Sequence, residues 1–365
     1  MIDNAMNFDS QQYLHAMAPI DIVIDTFIEE EKTRLSSVSN DDVWSIQSQG
    51  RFAALIAATS SPDLSHEDID VEWGGVRFLP SEKYVQKLVK RYTTRLEMEG
   101  KELEDNNLAS LVCHFSMSRV AKVPDPAEFC MLTYRVPLVD REGGRNLSRQ
   151  KEYDLLCIKV YPHHNDVGVA KVWEAGACLA EFIFHNAHCI RGRRVIELGA
   201  GVGLTGLVAA ANFAKSVHMT DYTNATLENL SYNVSINNKW LEERGIDKGI
   251  VTIGNLEWGE YAENSCCSHS ADVLIAADVV YTVECIPDLV ATVSKFLSSG
   301  SSTNAVALFA TTYRNRSTFA LFETELKKKR IICDYKSQDK MPYMFPCYFN
   351  QPRSDVRICT MTLSE

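Results

Sequence analysis

At 365 residues and 41.0 kDa the chain can hold a full α/β core and a second, smaller unit. Its 45% hydrophobic and 23% charged residues are ordinary for a soluble globular protein. A formal net charge of −11 argues against a general nucleic-acid binder, which presents a basic surface, and suits a basic or lysine-bearing partner instead. Eleven cysteines without a CxxC pair, two of them adjacent at Cys266-Cys267, point to free thiols in a reducing compartment. The first residues carry no basic leader and no segment is long enough to span a bilayer, so a cytoplasmic protein without a membrane partner is expected.

From the start to about residue 125 the spacing of apolar residues predicts helices near 9–35, 41–58, 82–98 and 103–118, with Tyr84, Leu88, Val89 and Tyr92 on one face of the third. Ser60-Ser61-Pro62-Asp63 and Val123-Pro124-Asp125-Pro126 break the pattern. Nothing in this part carries chemistry. Met131–Val136 and Tyr153–Val160 then read as strands of a hairpin around the glycine-bearing loop Asp140–Arg145.

Beyond Val169 helices and strands alternate: helix 171–186, strand 194–199, helix 203–214, strand 216–220, helix 224–237, strand 250–254, strand 272–277, helix 285–298, strand 305–311 and helix 316–328. Such alternation predicts a mostly parallel sheet covered on both faces. Two last strands, near 331–336 and 355–363, have no helix between them and should pair antiparallel. The aromatic stretch Tyr343–Phe349 that joins them is a candidate wall of an acceptor entrance, through Tyr343 and Phe345.

Ligands of such sheets bind beyond the carboxyl ends of the strands. The first strand ends in Glu197-Leu-Gly199-Ala200-Gly201-Val-Gly203-Leu-Thr-Gly206, a turn that lets a backbone approach a nucleotide-like ligand. Its glycines also satisfy the dinucleotide pattern GxGxxG, a weak signal alone. A carboxylate at Glu197 would repel a pyrophosphate and tolerate a cationic ligand such as S-adenosylmethionine, which favours a methyl donor over NAD. Asp221 ends the second strand, placed to accept from ribose hydroxyls, or else to cap the following helix. Trp258, after the third strand, could flank an adenine or simply pack. Trp173, opening the helix before the first strand, could lie over the donor, with ordinary packing as the alternative.

The fourth strand delivers Asp278 and Tyr281 to the rim. The proline-containing tetrad of enzymes that methylate planar nitrogens is absent. A carboxylate and a phenol can instead hold and orient a lysine amine for in-line attack, with deprotonation through water. Capping the next helix is the plain alternative for Asp278. His163-His164 lack the neighbours of a metal pair, and no metal is expected.

Together, Trp173, Val195–Gly206, Asp221, Leu256-Glu-Trp258 and Ala276-Ala-Asp-Val-Val-Tyr281 resemble the seven-strand protein-lysine methyltransferases called methyltransferase family 16. The resemblance covers about residues 153–365. Phe309–Leu326, Pro80–Tyr84 and the helices after them are similar to the group that methylates a lysine of eukaryotic elongation factor 2. It implies a Rossmann-like seven-strand S-adenosylmethionine-dependent domain over 171–365, a helical extension over 1–125 and a hairpin-like connector over 126–170. It implies donor contacts from Trp173, Glu197, Gly199, Ala200, Gly201, Asp221, Trp258 and Ala277, and an acceptor side made by Asp278 and Tyr281. The expected partner is a protein substrate, elongation factor 2, met by a monomer. The competing readings are another protein or small-molecule acceptor, a non-catalytic binding protein of this fold, and an NAD-dependent oxidoreductase.

Overall fold

The computed structural model describes residues 17, 20–36, 42–57, 81–117, 125–137, 153–247, 249–259, 271–299, 305–337, 344–345 and 353–364. Outside these lie the expected breaker Ser60–Asp63 and the expected loop Asp140–Arg145, together with Pro80, Val123-Pro124, Cys266-Cys267, residues 1–16 and most of 343–349.

Four helices come first: α1 (Ile20–Ser36), α2 (Ile46–Ala57), α3 (Glu82–Met98) and α4 (Asn106–Met117). They bury their own cluster, with Val23, Ile24, Phe52, Leu88, Tyr92 and Leu108 almost fully enclosed. Phe52 stacks on Tyr92 at 3.8 Å, and Phe27 meets both rings edge-on. The apolar face read along 82–98 is therefore the inner face of this cluster.

Next come the antiparallel strands β1 (Cys130–Pro137) and β2 (Tyr153–Val160), the turn α5 (Val167–Ala170) and helix α6 (Glu174–His185). The chain continues through β3 (Arg194–Leu198), α7 (Leu204–Ala211), β4 (Ser216–Asp221), α8 (Asn224–Glu243), β5 (Val251–Asn255) and β6 (Val273–Ala277). It ends with α9 (Ile286–Ser299), β7 (Val306–Thr312), α10 (Arg316–Lys328), β8 (Ile331–Lys336) and β9 (Val356–Leu363). The seven strands β3 to β9 form one mixed, Rossmann-like sheet in the order β5-β4-β3-β6-β7-β9-β8. Only β9 runs against the rest, inserted antiparallel between β7 and β8.

The side-chain period of two sets the layers. Val195, Val273, Ile275, Leu308 and Ala310 point to the core shared with α6, α7 and α8. Ile196, Leu198, Leu274, Ala276, Ala307 and Phe309 point to the other core, beneath α9 and α10. A strand buried on both faces reads as an unbroken apolar run, as Val273–Ala277 does. Several helix boundaries differ from the sequence expectation: the helices expected at 41–58, 103–118 and 203–214 span Ile46–Ala57, Asn106–Met117 and Leu204–Ala211, and two further differences have a visible cause. Helix α6 begins at Glu174, because residues 171–173 run extended and Trp173 takes the N-cap with φ −82° and ψ 150°. Helix α8 runs on to Glu243, carried by the buried Trp240 and Leu241.

The β1–β2 pair shares the core of the α/β unit through Leu132, Tyr134, Leu156 and Ile158. It is fixed there by asparagines spaced four apart along α8. Asn237 accepts from the Cys157 N–H at 3.0 Å and donates to the Cys157 carbonyl at 2.7 Å. Asn233 accepts from the Lys159 N–H at 2.8 Å and donates to the Lys159 carbonyl at 3.1 Å. These amides stand in for a neighbouring strand, so that a helix completes the edge of β2. Phe345 lies fully buried, 5.1 Å edge-on from Tyr134, and its N–H donates to Glu181. It is a core residue and no part of an acceptor entrance; Tyr343 lies outside the described residues.

Replacing Asn237 by leucine strands a buried N–H and a buried carbonyl on β2. Equilibrium urea unfolding should show a loss of about 2–4 kcal/mol. An unchanged midpoint would mean that the amide contributes nothing to holding the hairpin.

Candidate active site

Because β3, β4, β5 and β6 are parallel, their carboxyl ends meet along one edge of the sheet. A cavity of about 270 Å³ opens there. Its walls include Asp166, Gly168, Trp173, Gly199, Gly201, Asp221, Tyr222, Leu256, Trp258, Ala277, Asp278, Val279, Tyr281 and Arg314. Of the expected donor residues, Trp173, Gly199, Gly201, Asp221, Trp258 and Ala277 are thus brought together, and Asp278 and Tyr281 share the same chamber.

The turn after β3 needs its glycines. Gly199 and Gly201 sit at φ +60° and +54°, where an L side chain is strained. A Cβ on Gly199 would stand 2.8 Å from Val279, and one on Gly201 3.1 Å from the Gly168 carbonyl. Asp221 tightens the turn: one carboxylate oxygen accepts from the Gly201 N–H at 3.0 Å, the other from the Tyr222 N–H at 2.8 Å. The Thr223 N–H donates to the same carboxylate, which still leaves a lone pair for a hydroxyl in the cavity. Burial raises the Asp221 pKa above its ordinary value, and those N–H groups oppose the rise. Leu256, Trp258, Ala277 and Val279 form an apolar slot beside it.

Ala200 and Glu197 stand apart from the wall. The Ala200 N–H is spent on the Thr220 carbonyl at 2.9 Å, tying the turn to β4. The Glu197 side chain turns beneath the loop and is only 2% exposed. Its Oε2 has no hydrogen-bond partner among the described residues, and a Cβ on Gly206 would collide with it at 2.4 Å. Burial, then the charge of Asp221, push its pKa up to about 8, with the Gly206 N–H pulling the other way. The expected charge-based selection against a pyrophosphate by Glu197 therefore has no exposed carboxylate to act through.

At the other end Asp278 occupies the left-handed region, φ +53°, which aspartate tolerates better than most residues. Its carboxylate accepts five hydrogen bonds: from the Ala175 N–H at 3.2 Å, the Thr312 N–H and hydroxyl at 3.0 Å each, and Arg314 Nη1 and Nη2 at 3.0 and 3.1 Å. Arg314 Nη2 also reaches the fully buried Glu174 at 2.6 Å, and Lys171 binds the other Glu174 oxygen at 3.1 Å. With its lone pairs so engaged, Asp278 can orient and fix a wall far better than it can take up a proton. The Tyr281 ring stands half exposed at the mouth beside the more exposed Tyr222. Asp166 caps α5 through the Gly168 N–H at 2.8 Å and holds Thr223 and Thr226. Sequence reasoning singled out none of Asp166, Glu174, Tyr222 or Arg314 as a site residue; Arg314 lay within the quoted 309–326 segment, the one signal available.

Residues 152–328 match the family model described as lysine methyltransferase. That stretch covers most of the α/β unit, which matches this family. The protein-lysine N-methyltransferase EFM3 of Chaetomium thermophilum is 27% identical over 67% of this chain and 72% of its own length. The human protein-lysine N-methyltransferase EEF2KMT is 34% identical over 44% of this chain, and the match spans half of that relative's length. The protein N-terminal and lysine N-methyltransferase efm7 of Aspergillus fumigatus is 32% identical over 42% of this chain and 62% of its own. Among solved structures, the ribosomal protein L11 methylase of Lactobacillus delbrueckii covers 51% of this chain and 78% of its own, with 16% identity and a TM-score of 0.35. The cofactor that goes with the family is S-adenosyl-L-methionine, and the cavity fits it: a cradle lined by Gly199 and Gly201 without side chains, the carboxylate of Asp221, and an apolar slot.

Glu197 gives the site a pH signature. Near its ordinary value of 4.5 and below, the group is protonated in folded and unfolded chain alike. From there to about pH 8 the unfolded chain ionises it while the native state keeps the proton, so native stability falls across that window. Glu197→Gln removes the penalty. Its thermal midpoint should rise relative to the native chain between about pH 5 and pH 8, by an amount worth a few kcal/mol; a pH-independent difference would refute the buried-acid assignment.

Proposed function

We propose that this chain is an S-adenosyl-L-methionine-dependent protein-lysine N-methyltransferase of the cytoplasm, acting as a monomer on elongation factor 2. The observation that carries the proposal is a single chamber holding the glycine cradle and Asp221 at one end and Asp278 and Tyr281 at the other. When bound, the cofactor supplies a methyl group on a positively charged sulfur. In that state Asp221 would accept from the ribose hydroxyls, Trp258 would flank the adenine, and Trp173 would lie over the remaining part. Asp278, locked by its five donors, fixes the wall against which the acceptor side chain is aligned. Tyr281 orients the incoming amine at the mouth, and the departing proton passes to solvent water there. Catalysis then comes chiefly from alignment, since holding nucleophile and methyl carbon in line removes much of the entropic cost.

The acceptor is inferred from the net charge of −11, which suits a basic segment, and from the likeness of 309–326 and of the helical extension to the elongation factor 2 group. A second reading, another protein acceptor, is supported by the similarity to a relative named for both N-terminal and lysine methylation.

Labelled methyl donor, added with this protein to a lysate lacking it, should label a band at the size of elongation factor 2. Labelling only elsewhere would redirect the substrate assignment. S-adenosylhomocysteine, and not NAD, should raise the thermal midpoint. Asp278→Ala should retain that ligand-induced shift while losing at least about 100-fold in transfer; transfer at the native rate would overturn the acceptor-side assignment.

A further inference from the structure

Arg314 stands directly after β7, its N–H bonded to the Thr312 carbonyl at 2.9 Å. Its guanidinium grips Asp278 with two parallel bonds and Glu174 with a third. Both acids are buried, the Glu174 side chain completely and that of Asp278 to 4% exposure, whereas Arg314 is one-third exposed and lines the cavity. Lys171 completes the group on Glu174, and both cations lie over the Trp173 ring, at 4.2 Å for Lys171 and 5.3 Å for Arg314. Two carboxylates therefore meet two cations, and the acceptor end of the cavity carries no net charge from this group.

That balance bears on the chemistry. A lysine ammonium has no lone pair and cannot attack a methyl carbon; it must first lose its proton. An opposite charge within a few ångströms raises the pKa of such a group by about 1–3 units, and each unit makes the neutral amine about tenfold scarcer near neutral pH. A bare carboxylate at Asp278 would hold the acceptor as ammonium. A carboxylate already neutralised by a guanidinium would not.

We infer that Arg314 is a positioning residue that, with Lys171 on Glu174, cancels the charge of Asp278 and Glu174, so that the acceptor lysine sits in the cavity as the neutral amine. This rests on the proposed lysine-methyl transfer. The step balances simply: the ammonium sheds a proton to water, the lone pair of the resulting amine forms the N–CH3 bond, the S–CH3 bond breaks, and that electron pair stays on sulfur, so that the positive charge passes from sulfur to the methylated nitrogen. The other titratable groups around the mouth are Asp166, Asp221, Tyr222, Glu257, Tyr281 and Cys285, and all stay unchanged in the variants below.

Arg314→Gln leaves two carboxylates against one ammonium, whereas Arg314→Lys keeps the charge and loses the fork. With saturating methyl donor and elongation factor 2, or whichever acceptor the labelling identifies, Arg314→Gln should move the rising limb of the kcat–pH profile upward by about one unit or more. KM for the acceptor should hold or fall. Arg314→Lys should keep the native limb even if kcat drops at every pH. An equal loss of kcat at every pH for Arg314→Gln, with the limb unmoved, would overturn the inference in favour of a merely structural role. A second measurement needs no turnover. Titrated at neutral pH into protein saturated with S-adenosylhomocysteine, n-butylammonium should raise the thermal midpoint of Arg314→Gln more than that of the native chain or of Arg314→Lys. Equal shifts in all three would overturn the inference even if the lysine-transfer reading itself fails, and a native chain that labels no protein would count against that reading alone.

Discussion

The carboxylate of Asp278 sits where three elements have to agree. It leaves β6 in a left-handed conformation, accepts from the first turn of α6 at Ala175, and binds the last residue of β7 at Thr312. Parallel strands bring their carboxyl ends to one edge but do not fix the gaps between them; side chains must do that. Asp278 closes the gap on the β7 side, and Asp221 does the same on the β4 side through the Gly201 N–H. The chamber is what remains between these two clamps, with Trp258 and Val279 pressed onto the glycine turn. Strain at one non-glycine residue persists here because five hydrogen bonds over-determine its position.

The scaffold beneath follows the same economy of backbone groups. An edge strand leaves N–H and carbonyl groups unpaired, and β2 satisfies two residues' worth of them with the amides of Asn233 and Asn237 rather than with another strand. The hairpin is in this way tied to α8, which follows the Asp221 strand. Glu197 shows the opposite solution. Its carboxyl has no partner at Oε2 among the described residues, and burial is met by a raised pKa, so the group resides below the cradle without a charge near neutral pH.

What the chain reveals in one dimension is what depends on local order. The apolar run Val273–Ala277 is a strand, the glycines at 199 and 201 lie in a turn and Asp221 closes the next strand, places that period, turn chemistry and strand-end position set by local rules. The antiparallel ending was legible too, from a missing helix. Pairings across the fold were not. Arg314 lies 36 residues from Asp278 and 140 from Glu174, and no spacing rule joins them. Asn229, Asn233 and Asn237 recur every four residues, yet polar residues on a helix read as a solvated face until a strand edge is seen against them. Glu197 was read as facing a ligand because strand ends face the crevice; side-chain direction and burial decided otherwise.

Charge acts at two ranges in this molecule, with opposite requirements. A net charge of −11 favours approach of a basic surface over distances up to the screening length, where the summed field of many charges counts. Asp166 and Asp221 extend that sign to the mouth, where they bear on Tyr222 and Tyr281. If the same field persisted at the point of attack, it would hold an ammonium in its unreactive form. On the proposed reading, the fork of Arg314 and the ammonium of Lys171 end the field of two buried carboxylates there, without removing Asp278 from the place where its geometry is needed. On that reading attraction and reactivity are separated along a single cavity by a pair of cations, and a carboxylate beside the acceptor does not have to be a base.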